Sequence, residues 1–164
     1  MAGRRAGCDP ARNLMTIDPF TPHILIMDDD PDFGFLLEMS LLKAGYRVSV
    51  VARGQAAIEI LEREAVDLLI TDIYVKDLGR PVADGGLLLI NRVRRPGAES
   101  KIKAPPDLPI IAVSGATGHT GQQHLLRIAA SLGADELLTK PFHPEQMNKM
   151  IAELLGARNP EADA

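Results

Sequence analysis

Three acidic residues in succession, Asp28, Asp29 and Asp30, follow the apolar run Ile24 to Met27, and Pro31 comes directly after them. Asp72 closes another apolar run, Ser114 a third, and Lys140 a fourth. Carboxylates gathered in one place repel each other and resist ionisation unless something cationic joins them. A hard divalent ion relieves this, and Mg²⁺ is typically held by one or two carboxylates while keeping waters and space for a phosphate oxygen. Counting Asp28, Asp29 and Asp72 against Lys140 and Mg²⁺ leaves a site near neutrality, suited to a phosphoryl group. An aspartate can attack phosphorus itself and become an aspartyl phosphate. Asp72, alone at the end of its strand, is the candidate nucleophile. Lys140 and the metal would offset charge on the equatorial oxygens, and the Ser114 hydroxyl would hydrogen-bond one of them.

These residues act together only if the fold gathers them. From residue 23 onward short apolar runs alternate with stretches of helical period, the signature of βαβ units around a parallel sheet. The pattern predicts strands at 24–27, 46–51, 66–71, 109–113 and 136–139. It predicts helices at 31–44, 54–64, 86–95, 120–132 and 144–155, with Gly45 and Gly133 as stops. Residues 73–84, with Gly79 and Pro81, and 96–108, with three prolines and a glycine, read as irregular. Right-handed crossovers then give an α/β three-layer sandwich with helices on both faces of a five-stranded parallel sheet. The C-terminal ends of such strands share one edge, where open α/β sheets bind ligands, so Asp28, Asp29, Asp72, Ser114 and Lys140 converge there.

The bulk composition narrows the function classes. At 164 residues, with 46% hydrophobic and 24% charged residues, the chain has the size and make-up of one globular domain. A formal net charge of -4 gives no general attraction to nucleic acid or to anionic membrane. Cys8 is the single cysteine, which excludes an intrachain disulfide. The basic start lacks the apolar run of a signal peptide, no stretch reaches transmembrane length, and a cytoplasmic protein is expected. Residues 1–22 mix Gly, Pro, Arg and Asp without period and read as a disordered leader, 23–155 as the folded domain and 156–164 as a polar tail.

The segments ILIMDDDP, LLITDI, PIIAVSG and GADELLTKPF together resemble those of response regulator receiver domains, the phosphoacceptor modules of two-component signalling. The resemblance covers roughly residues 23–155 and includes the stand-alone receivers of chemotaxis. It implies a flavodoxin-like (βα)5 fold with strand order 2-1-3-4-5, and a cis bond before Pro141. It also implies Asp72 as the phosphorylated residue, Asp28 and Asp29 as the acidic pair serving Mg²⁺, Ser114 as the switch hydroxyl and Lys140 as the phosphate-contacting lysine. Asp30 falls outside that set and supports the turn. The implied donor is a histidine kinase or a histidine phosphotransfer protein. Only Gly156 to Ala164 follow the last helix, so the expected output is a protein–protein contact or a passed-on phosphoryl group rather than DNA binding. A receiver helps catalyse its own phosphorylation but is otherwise not an enzyme.

Several positions depart from the family pattern. Lys76 stands where a proline is usual, and the Asp84-Gly85 pair comes several residues late, so Lys76 to Ala83 reads as an insertion beside the site. Leu137, three residues before Lys140, replaces the usual Tyr or Phe whose rotamer accompanies activation. Tyr74 and Ala116, at two positions that tune hydrolysis, offer no acid or amide to orient a water, so slow self-dephosphorylation is expected. An alternative is a receiver fold that no longer switches and serves as an interaction module. A haloacid-dehalogenase-type phosphatase would also use an aspartate and Mg²⁺, but it places a second aspartate where Tyr74 stands.

Overall fold

The computed structural model describes residues 21–74, 76–77, 80–81, 85–115 and 120–158. The expected leader lies almost wholly outside these residues, as does most of the expected tail. The element order is β1 (His23–Met27), α1 (Pro31–Lys43), β2 (Arg47–Val51), α2 (Gly54–Arg63), β3 (Leu68–Asp72), β4 (Lys76–Asp77), β5 (Arg80–Pro81), α3 (Gly86–Arg94), β6 (Ile110–Ser114), α4 (Thr120–Leu132), β7 (Glu136–Thr139) and α5 (Pro144–Arg158). Among the described residues no helix is long and apolar enough to cross a membrane.

Five strands pair in parallel in the order β2-β1-β3-β6-β7, which is 2-1-3-4-5 counted within the sheet. Every residue of β1, β3 and β6 is buried, while β2 is half-buried and β7 mostly exposed. Central strands covered on both faces read as continuous apolar runs, and these three do. Strand alternation splits them between two cores. Leu25, Met27, Leu69 and Ala112 pack with Ala57, Leu61, Leu89, Ile90, Val93 and Ala129 from α2, α3 and α4. Ile24, Ile26, Ile70 and Val113 pack with Leu37, Leu41, Met147 and Ile151 from α1 and α5. The three-layer sandwich expected from the sequence is thus the observed one.

Two expectations need correction. Residues 73–84 are not wholly irregular, because β4 and β5 pair antiparallel, Lys76 opposite Pro81 and Asp77 opposite Arg80. Two-residue strands are too short to show any periodicity. Helix α5 also runs to Arg158, past the expected end at Leu155. Gly156 is tolerated within it. The Lys140-Pro141 bond is cis, as the resemblance implied.

One side chain ties the distal half together. The Arg94 guanidinium, at the end of α3, donates to the carbonyls of Gly133 (2.8 Å), Pro106 (2.9 Å) and Leu108 (2.7 Å) and to Asp135 Oδ2 (2.8 Å). The same Asp135 oxygen accepts the Ile110 N–H at 2.7 Å. Gly133 has φ +109°, and a Cβ there would come within 2.9 Å of Arg94 Nε, so glycine is required twice over. Arg94→Ala would remove this donor from three carbonyls and leave the Asp135 oxygen with the Ile110 N–H alone. A loss of about 2–3 kcal/mol is expected in urea denaturation, with Arg94→Lys recovering only part because it lacks the fork.

Candidate functional site

Register brings the acidic residues together. Met27 pairs with Thr71 and Asp72 with Val113, so Asp28 and Asp72 leave neighbouring strands at the same level. Ser114 pairs with Thr139, and Lys140 N–H donates to the Ser114 carbonyl at 2.7 Å, so Lys140 emerges at that edge too. One carboxylate oxygen from each of Asp28, Asp29 and Asp72 lies within 4.8 Å of the others. Such an all-oxygen group suits a hard divalent cation. Asp28 and Asp72 are buried, at 4% and 6% exposure, while Asp29 is half-buried.

Lys140 bridges the two buried carboxylates, with Nζ 2.5 Å from Asp28 Oδ2 and 3.2 Å from Asp72 Oδ2. Its ammonium also sits 3.8 Å from the centre of the Phe33 ring, which packs edge-on against Phe142 at 5.6 Å. The aromatic face adds cation–π attraction and excludes water on that side. The other oxygens are held by backbone: Asp28 Oδ1 accepts from Asp30 N–H at 2.9 Å, and Asp72 Oδ1 from Tyr74 N–H at 2.7 Å. Asp30 caps α1, accepting from the N–H groups of Asp32 and Phe33, the supporting role expected of it.

Burial dominates the electrostatics. It raises the Asp28 carboxyl to about 6 against the pull of Lys140, and it raises Asp72 against the Tyr74 N–H and Lys140. Burial works to lower Lys140, but the hydrogen bond and charge of Asp28, with Asp72 behind them, outweigh it and hold the ammonium above its ordinary value. Burial therefore raises the two carboxyls, and the two carboxylates raise the lysine.

Ser114 is at the same edge and fully buried, with its hydroxyl 3.5 Å from the Gly115 carbonyl. Among the described residues its hydroxyl makes no hydrogen bond to the carboxylates or to Lys140. Leu137 is 37% exposed on β7, and Ala116 and Asp84 lie outside the described residues. Sequence reasoning missed Gly86. A Cβ on it would fall 2.1 Å from the Asp72 carbonyl oxygen and 2.7 Å from Thr71 Oγ1, so only glycine lets α3 start against the candidate nucleophile. The Gly85-Gly86 doublet was the available signal. The role of Phe33 was also missed, because its place on the helix face reads simply as core.

Comparison with known proteins agrees with this geometry. The model of the response regulator receiver domain family matches residues 24–152. The chain belongs to that family. An uncharacterized 14.6 kDa protein of the sodA1 3' region of Leptolyngbya boryana is 32% identical over 85% of the chain and 94% of its own length. The chain spans about half of several longer regulators it matches, 46% of one and 50% of another. A CheY-like receiver domain protein of Methanospirillum hungatei shares the fold, with TM-score 0.68, 24% identity and coverage of 86% and 98% of the two chains. So does the receiver domain of the Pseudomonas aeruginosa sensor kinase PA1611, which carries a magnesium ion in its active-site cleft, with TM-score 0.64, 24% identity and coverage of 83% and 98%. This receiver is accordingly a two-component signalling module rather than a classical enzyme.

The raised Asp28 carboxyl makes stability depend on pH. Between about 4 and 6 the folded receiver binds a proton that the unfolded chain has lost, so its stability falls as pH rises through that window. The effect is at most roughly 3 kcal/mol from this group. Urea denaturation in chelator is expected to show lower stability at neutral pH than near pH 4.5, and Asp28→Asn to flatten the fall.

Proposed function

We propose that this receiver takes a phosphoryl group on Asp72 from a phosphohistidine of a histidine kinase or phosphotransfer protein, in a Mg²⁺-dependent reaction. The observation that carries this is Lys140 bridging Asp28 and Asp72 inside a three-carboxylate cluster at the C-terminal edge of the sheet. An Asp72 carboxylate oxygen attacks phosphorus, the phosphorus–nitrogen bond to the donor breaks, and the imidazole leaves. Asp28, Asp29 and Asp72 supply the oxygen donors for Mg²⁺, which when bound offsets negative charge on the phosphoryl oxygens. The Tyr74 N–H holds one Asp72 oxygen, fixing the orientation of the carboxylate. The Lys140 ammonium, already against Asp72, is placed to meet a phosphoryl oxygen. Ser114 supplies a hydroxyl at the same edge.

The added charge, about -1.5 to -2, would then bias the neighbouring loops and helices toward a surface read by a protein partner. A second reading, a receiver fold that no longer switches, draws on Leu137, whose side chain has neither an aromatic ring nor a hydroxyl. Equal partner affinity with and without a phosphoryl analogue would select it.

Incubation with acetyl phosphate or a cognate kinase and Mg²⁺ is expected to give a phosphoprotein detectable by mobility shift, abolished by chelator and by Asp72→Asn. Equal labelling of Asp72→Asn would remove the assignment. Since neither Tyr74 nor Ala116 suits the orienting of a water, the phosphoryl group is expected to persist for minutes or longer after donor removal. A lifetime of seconds would contradict this.

A further inference from the structure

Among the described residues the Lys140 ammonium meets two carboxylates and one ring: Asp28 Oδ2 at 2.5 Å, Asp72 Oδ2 at 3.2 Å, and the face of Phe33, whose centre lies 3.8 Å from Nζ. Both carboxylates belong to the cluster of Asp28, Asp29 and Asp72, whose oxygens converge within 4.8 Å. A divalent cation drawn to that cluster competes with Lys140 for both of its carboxylates, and it also repels the ammonium directly. The ring stands outside this competition. A hard cation takes oxygen donors, so an aromatic face is no ligand for it. What attracts the ammonium there is the negative face of the ring quadrupole, which acts most strongly where water is kept away.

The ring is held in place before any cation arrives. Phe33 lies in the first turn of α1, and its N–H donates to Asp30 Oδ1 at 3.2 Å. Phe142, two residues past Lys140, meets it edge-on, with 5.6 Å between ring centres and 86° between planes. Both rings are half-buried and pack against the core cluster that contains Ile26, Leu37 and Met147. The platform is thus fastened from α1 on one side and from the segment after Lys140 on the other, so little side-chain entropy is left to lose when the ammonium settles on it. A ring face also imposes no hydrogen-bond direction, so the ammonium can exchange one oxygen partner for another without leaving it.

We propose that Phe33 is a positioning residue for Lys140: its ring retains the ammonium at the edge of the site while a divalent cation occupies Asp28 and Asp72, so that the ammonium is still there to meet a phosphoryl oxygen. The retention stands on the geometry alone, and its use in phosphoryl transfer rests on the reading of Asp72 as the acceptor. Without the ring, the ammonium is held by the two carboxylates only and is released when the metal takes them. The need for the ring is therefore specific to the metal-loaded site.

Two measurements on the whole chain test this. The first requires no phosphoryl transfer. With isotope-labelled lysine, the Lys140 ammonium resonance is protected from exchange with water while the group is held, and in the wild type it is expected both without Mg²⁺ and at saturating Mg²⁺. In Phe33→Leu it should be present without the metal and lost with it. The second is the initial rate of labelling by acetyl phosphate at saturating Mg²⁺. It should fall about tenfold in Phe33→Leu, and stepwise when position 33 carries mono-, di- and trifluorinated phenylalanine, which nearly keep the shape of the ring while weakening its quadrupole. Thermal melts establish that every variant is folded. Loss of the wild-type resonance on adding Mg²⁺, a Phe33→Leu resonance that survives the metal, or a labelling rate indifferent to fluorination would overturn the proposal. A wild type that takes no label would overturn the reading of Asp72 instead, and the resonance by itself then decides whether the ring retains the lysine.

Discussion

The contact on which the site depends is the Lys140 ammonium lodged between the Asp28 and Asp72 carboxylates. Buried charges cost several kcal/mol each to desolvate, and they persist only where partners and hydrogen bonds are held in place. Here the holding is done by the sheet. Three strands deliver the three residues to one level, and a one-residue slip in these pairings would carry a carboxylate or the lysine to the other face. Backbone N–H groups of Asp30 and Tyr74 then fix the remaining oxygens, so the carboxylates cannot rotate to relieve their repulsion.

The acidic triplet divides its labour along the chain. Asp28 faces inward onto Lys140, Asp29 stands half-exposed within reach of the same cation site, and Asp30 turns away to cap α1. The cap has a consequence for the lysine. By fixing the first turn of α1 it places Phe33, and the Phe33 and Phe142 rings form the apolar wall under the ammonium. A helix start, an aromatic pair and a salt bridge are therefore one mechanical unit. The protein alone leaves Asp28 under-compensated, which is the electrostatic condition that a divalent cation answers.

Much of this was legible in the sequence because each core strand is an uninterrupted apolar run that ends in a polar residue. Such runs fix strand position, and parallel topology turns their ends into neighbours without further information. What stayed hidden has a physical reason in each case. Gly86 matters through a close backbone approach that exists only after α3 has docked on β3, and Arg94 through carbonyls in one loop and one turn. The β4–β5 pair is too short to carry a period, and the extra turn of α5 depended on a glycine that stops some helices and not others.

The segment between β3 and α3 illustrates how a site can be insulated from its surroundings. Both ends of that segment are fixed by backbone contacts, the Tyr74 N–H on the Asp72 carboxylate and Gly86 against the Asp72 carbonyl. Loop closure costs rise only slowly with length, so added residues between two fixed ends lengthen the loop without displacing those ends. The antiparallel pairing of β4 and β5 gives part of this segment its own hydrogen bonds, which reduces the number of backbone groups that must find partners elsewhere. Length can therefore vary here with Asp72 unmoved. What such variation can alter is which molecules reach the carboxylate, and specificity can diverge in this fold while the acidic cluster and its lysine stay the same.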